Sequence, residues 1–213
     1  MYNEPAFTCI LGGSLLHIRC CAHIINLSCQ VGIKKLSDLL GPIRDIVKWL
    51  RLGQVKRRYK QLCEHYKLKK VYWSLDTPTR WGSTHDLLKK VIVYRPVITQ
   101  LYIEFTDSRI SDETWDLAIG VQKLLEAYVH ATKIFSYVYE PNVHLVISEC
   151  ITVFYHLLRH SHDDTNVFLK SILADMMDKW KTYFTDFSYI YGIATILDPC
   201  FRTENLSKII GFH

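Results

Sequence analysis

The stretch IKKLSDLLGPIRDIVKWL, residues 33–50, decides the fold class. Ile33, Leu36, Leu40, Ile43, Val47 and Leu50 recur at spacings of three and four, which lines one side of a helix with apolar side chains. Gly41-Pro42 interrupts the stripe. Glycine suits a helix end and proline the first turn of the next, so the spacing predicts two helices meeting there, or one kinked helix.

The helical period continues towards the C-terminus. Residues 54–67 predict a short basic helix. Asp76-Thr77-Pro78-Thr79-Arg80 reads as a turn, because proline pushes the residue before it out of helical space. Ser83 or Thr84 is expected to cap a helix reaching about residue 105, bent at Pro96, with Leu87, Val91, Tyr94, Ile98 and Leu101 inward. Ser111-Asp112-Glu113-Thr114 opens another, with a core stripe of Leu117, Val121, Leu124, Leu125, Tyr128 and Phe135. A further helix is expected from Pro141, with Ile147, Ile151, Phe154, Tyr155 and Leu158 inward. The next covers residues 166–187 through Ile172, Met176, Trp180, Tyr183 and Phe184. Asp198 is expected to cap a final short helix. No internal repeat or low-complexity linker interrupts this pattern.

Towards the N-terminus the pattern changes. Residues 15–20 follow Gly12-Gly13 and read as a strand. A lone strand leaves its backbone donors and acceptors unpaired, and the rest of the chain offers few partners. The expected architecture is therefore mainly α: a helical array with one or two short N-terminal strands, belonging to something larger.

Composition fits a folded domain. Of 213 residues, 49 % are hydrophobic, 22 % charged and 13 % aromatic, which argues against disorder. The net charge of +5 permits nucleic-acid contact without requiring it. Seven cysteines, odd in number and irregularly spaced, read as reduced thiols of the cytosol or nucleus. No signal peptide is expected, because the first residues carry Glu4 and Pro5 and lack a basic start before a long apolar run. No apolar run approaches the roughly 20 residues a membrane span needs.

Several clusters could carry chemistry. Cys20-x-x-His23 is half of many zinc sites, but a structural site needs a second pair and none is spaced for it. Two residues so close at a strand-to-helix junction also make a poor nucleophile and base. Packing at a junction, with His23 hydrogen-bonded and partly buried, is the competing reading. His156 and His160 share a helix face with Asp163-Asp164 following, a geometry that holds a metal or simply a solvated helix end. Arg80-Trp81 at a helix start suits nucleic acid: arginine reaches a phosphate and tryptophan stacks on an unpaired base. The alternative is that Trp81 fills the core and Arg80 pairs with an acid. Lys48, Arg51, Lys56, Arg57, Arg58, Lys60, Lys67, Lys69 and Lys70 form the densest charge in the chain. They track a phosphate backbone or form a solvated face. No phosphate loop, nucleophile elbow or metalloprotease helix is present.

Three stretches, in this order, resemble the hAT superfamily of DNA transposases, in its plant SLEEPER-type branch. RCCAHIINL matches its Arg-Cys-x-x-His-x-x-Asn-Leu block through Arg19, Cys20, His23, Asn26 and Leu27. LDTPTRWGSTHDLLKK matches a second block through Asp76, Thr79, Arg80, Trp81, Ser83 and Thr84, with Gly82 where the family has Asn. IATILDPCFR matches a third through Leu197, Asp198, Pro199 and Phe201, with Cys200 departing.

The resemblance implies a ribonuclease-H-like core interrupted by a large helical insertion. Residues 1–20 would be a remnant of that core and residues 21–213 the insertion. It implies that Arg19, Cys20, His23 and Asn26 support the core without binding zinc, so no metal or cofactor is expected here. It implies DNA contact through Arg80 and Trp81, with Lys56, Arg57 and Arg58 as phosphate-binding candidates. In the family, carboxylates hold divalent ions that activate water and then a DNA hydroxyl. By resemblance those acids, the zinc-finger module and the dimerisation segment fall outside this sequence. The expectation is a catalytically incomplete, non-enzymatic, DNA-binding piece of a nuclear (or cytoplasmic) protein, not bound to membrane. A protein-interaction scaffold, with a protein partner or oligomer, is one alternative. A decayed, non-functional fragment is another.

Overall fold

The computed structural model describes residues 20–77, 80–137, 139, 141–162, 167–184 and 188–200. The remnant strand expected at 15–20 lies outside the described residues, apart from Cys20. Among the described residues every regular element is a helix. In order they are α1 (Cys21–Leu39), α2 (Gly41–Trp49), α3 (Gly53–His65), α4 (Trp81–Val93), α5 (Arg95–Thr106), α6 (Asp112–Phe135), a 3-10 turn (Val143–Leu145), α7 (Val146–Ser161), α8 (Val167–Phe184) and α9 (Tyr189–Leu197). No helix among them is long and apolar enough to cross a membrane.

The stripe at 33–50 forms the floor of the core. All six of its apolar residues are at most 2 % exposed. Gly41-Pro42 separates two helices, with the proline in the first turn of α2, where its missing N–H costs no hydrogen bond.

Helix α1 is central, packing along α8 and against α6, α4 and α2. Two residues let it approach α8 closely. Gly32 faces Met176, and a Cβ at Gly32 would overlap the Met176 thioether. Ser28, fully buried, exchanges a hydrogen bond with the Tyr128 hydroxyl (3.0 Å) and donates one to the Met176 carbonyl (3.0 Å). One small polar side chain thereby ties α1 to α6 and α8. The Cys21 thiol donates to the Tyr191 hydroxyl of α9 at 3.2 Å.

The structure departs from expectation in two places. The helix expected from residue 83 to about 105 is two helices meeting at Tyr94. Pro96 lacks the N–H and its ring opposes the Ile92 carbonyl, so the helix restarts instead of bending. The inward residues Leu87, Val91, Tyr94, Ile98 and Leu101 are nonetheless all buried. On α7 the buried residues are Val146, Cys150, Val153 and Leu157, one position ahead of the expected stripe, and Tyr155 is exposed. That helix carries neighbouring apolar pairs at every turn, so its period is legible and its phase is not. Asp198 follows α9, and its carboxylate accepts from Cys200 N at 2.8 Å; the short helix it is expected to cap lies outside the described residues. Ser111 does cap α6 as expected, its hydroxyl accepting from Thr114 N at 3.3 Å.

Candidate nucleic-acid interface

The segment from α3 to α4 converges on Asp76. Arg44, on α2, donates in a fork to both carboxylate oxygens, Nε to Oδ1 at 2.9 Å and Nη2 to Oδ2 at 2.7 Å. Its remaining nitrogen, Nη1, reaches the Ser37 carbonyl at 2.8 Å, at the end of α1. Thr84, on α4, donates its hydroxyl to Asp76 Oδ2 at 2.8 Å. The Asp76 side chain is 1 % exposed and that of Arg44 15 %. Burial pulls the Asp76 carboxyl upward, but the hydrogen bonds from Arg44 and Thr84 outweigh it and hold the group below the usual carboxylate range.

Ser83 closes the turn above this pair. Its hydroxyl accepts from Thr77 N at 2.8 Å and donates to the Arg80 carbonyl at 2.6 Å. Neither Ser83 nor Thr84 is the N-cap. Helix α4 begins at Trp81, Arg80 holds the cap position without a side-chain capping bond, and both hydroxyls serve the turn and Asp76. Gly82 lies in open space, with nothing within 4 Å of a Cβ built there, so the position has room for a side chain.

This frame holds Arg80 and Trp81 differently. Arg80 is exposed. Trp81 is 7 % exposed, its ring meeting Tyr128 edge-on at 6.2 Å, and Tyr128 in turn meets Trp180 at 6.3 Å. In this arrangement Trp81 is a core residue, and the stacking face expected for a base is occupied by protein. Its burial fixes the first turn of α4 and with it the exit of Arg80.

The basic tract divides by partner. Lys56 and Arg57 are exposed on α3 and make no ion pair among the described residues. Arg58 donates in a fork to Glu104 of α5, at 2.8 and 2.9 Å. The Arg58 hydrogen bonds, with help from Gln100, pull the Glu104 carboxyl down to about 2. Arg58 is thus charge-matched, and its sequence neighbours carry the unbalanced positive field.

The Cys20/His23 pair is not packed as the junction reading expects. Both are exposed at the start of α1, while Cys21, Ile24, Ile25, Ser28 and Cys29 turn inward. The helical period selects 21, 25 and 29, and it leaves 20 and 23 on the outer side. Asn26 is half-buried. Arg19 lies outside the described residues. His156 and His160 meet edge-on with ring centroids 4.5 Å apart, and His156 Nε2 bonds the Lys123 carbonyl at 2.9 Å. Among the described residues no three His, Cys, Asp or Glu side chains converge as a metal site.

Arg44 escapes sequence reasoning. It sits on the polar side of the 33–50 stripe, 32 residues from its partner, and no local pattern announces such a pair.

Residues 18–124 match the family described as the ZBED1 RNase-like helical domain. The chain belongs to this family. It is a hAT-type transposase-derived protein. Zinc finger BED domain-containing protein RICESLEEPER 1 of Oryza sativa subsp. japonica is 24 % identical over 215 residues, covering 95 % of this chain and 29 % of the relative. The putative AC transposase of Zea mays is 23 % identical over 205 residues, covering 91 % and 24 %. Zinc finger BED domain-containing protein 4 of Homo sapiens is 22 % identical over 198 residues, covering 88 % and 16 %. The chain spans less than a third of the length of these curated relatives. No solved structure matches it. Helix-rich architecture and family thus agree with the resemblance carried by the three sequence blocks.

Proposed function

We propose that this helical piece, an insertion beginning at about residue 21, binds DNA, with Arg80, Lys56 and Arg57 on phosphates, in a nuclear transposase-derived protein. The observation carrying the reading is the unneutralised charge of Lys56 and Arg57 on one helix. Arg80 adds to it, held at the start of a helix whose first turn is anchored by Trp81, Ser83 and the Asp76 pair. Guanidinium and ammonium groups presented from rigid elements suit a phosphate backbone. The names of the relatives, transposases and BED zinc-finger proteins, accord with a DNA partner. Trp81 acts as a positioning residue for Arg80. Arg58, matched by Glu104, contributes least. Cys20, His23 and Asn26 face the adjoining ribonuclease-H-like core, which they support.

We further propose that this stretch performs no strand cleavage by itself. Incubating it with plasmid DNA and Mg²⁺ or Mn²⁺ tests that: intact plasmid is expected, and metal-dependent nicking that co-purifies with the protein would contradict it. For DNA binding, Arg80→Ala is expected to weaken duplex affinity several-fold with an unchanged melting curve. Unchanged affinity would remove Arg80 from the interface.

One observation favours a second reading, a protein-interaction scaffold. Tyr189, Ile193, Ile196 and Leu197 leave an apolar face of α9 exposed, as an interaction surface does. Salt separates the two readings, because phosphate contacts weaken steeply as salt rises and apolar contacts do not.

A further inference from the structure

A cleft of about 360 Å³ lies between α3 and the strap that follows it, lined by Arg51, Lys56, Lys60, Lys70, Tyr72 and Trp73 among others. Four cations and no acid line it. Lys56 and Lys60 are one helical turn apart on α3 and so share a face. Arg51, Lys56 and Lys60 make no ion pair among the described residues. Lys70 pairs with Glu64, an exposed contact that a phosphate can replace.

The strap is held rigidly. Tyr59 accepts from Val71 N at 3.3 Å, and Tyr94 donates to the Lys69 carbonyl. Trp73, 4 % exposed, packs edge-on against Tyr59 at 5.9 Å and Tyr94 at 5.6 Å. Its indole N–H is buried and has no hydrogen-bond partner among the described residues. Beside it Tyr72 stands outside that cluster and is 69 % exposed. An alternation of buried Trp73 and open Tyr72 is what a strap presenting one ring outward produces.

We infer that this cleft seats single-stranded DNA, its phosphates on Arg51, Lys56, Lys60 and Lys70 and one base stacked on Tyr72. The inference rests on the DNA-binding reading above and narrows it. A groove of cations follows a backbone, and an open aromatic ring at its edge accepts any base with its π-face free. In a duplex those faces are already stacked, so the tyrosine discriminates the two forms.

The test measures fluorescence anisotropy of labelled dT15 and of a 15-base-pair duplex with the full chain at low salt. Lys56→Ala/Lys60→Ala is expected to weaken dT15 binding by about tenfold or more, as removing two phosphate-binding cations requires. Tyr72→Ala is expected to weaken dT15 by roughly tenfold and the duplex by less than about twofold. Thermal melts check that each variant is folded. Equal losses on both DNAs with Tyr72→Ala, or no loss on either, overturn the cleft as a single-strand seat while the DNA reading stands. If the unmodified protein binds neither DNA, the DNA reading fails and the cleft assignment falls with it.

Discussion

Replacing Asp76 by Asn removes the charge that balances Arg44 without removing volume. The guanidinium then keeps its 15 % exposure but has no counter-charge. Breaking a buried pair from one side costs about 3–5 kcal/mol. The lower end applies, because Arg44 retains some water and its bond to the Ser37 carbonyl, so Asp76→Asn should cost about 3 kcal/mol. Arg44→Met strands the carboxylate, which is 1 % exposed, and should cost about 4 kcal/mol. The double variant leaves no uncompensated charge and should lose less than the sum by at least about 2 kcal/mol. Urea unfolding of the four proteins, followed by circular dichroism at neutral pH, gives these differences. A loss under about 1 kcal/mol for Asp76→Asn, or additive single losses, would refute the claim that this pair locks α1, α2 and α4 around the Arg80 turn.

Other outcomes follow from the same packing. Gly32→Ala should destabilise by about 1–3 kcal/mol despite the usual helix preference for alanine, because the new Cβ overlaps Met176; a neutral or stabilising result in thermal unfolding would contradict the α1–α8 approach. Ser28→Ala should cost about 1–3 kcal/mol by leaving the Tyr128 hydroxyl in the core without its partner, checked by urea titration. Stability should also fall in acid. Asp76 and Glu104 are both held below their ordinary values, so their contribution is full above about pH 4.5 and is lost as pH drops towards the folded value of about 2 for Glu104. Melting temperature against pH checks the sign, and in Glu104→Gln the acid dependence should shrink.

What can be read from the sequence depends on the range of each interaction. The 33–50 stripe specifies the buried side of α1 and α2 because its period is local, and Gly41-Pro42 marks the interruption while leaving a break and a kink both open. Pro96 marks the place where α4 gives way to α5, but a period alone does not distinguish a bend from a restart. Helix α7 shows the limit: paired apolar residues at each turn allow two phases, and the packing with α6 and α8 chooses between them. At the candidate interface, Arg80 and Trp81 are legible as a motif. That Trp81 turns inward depends on Tyr128, 47 positions further along, and the sequence around Trp81 holds no trace of it. The matching of Arg58 by Glu104 is hidden for the same reason, while its neighbours Lys56 and Arg57 stand out by charge density alone.

The salt dependence of duplex affinity tests the central claim most directly. Each phosphate that a cation no longer neutralises should shrink the slope of log K against log salt by about 0.9, so Lys56→Ala/Arg57→Ala should flatten it by about 1.8. A slope unchanged by that double substitution, or an affinity indifferent to salt in the parent protein, would contradict binding of DNA through this helix.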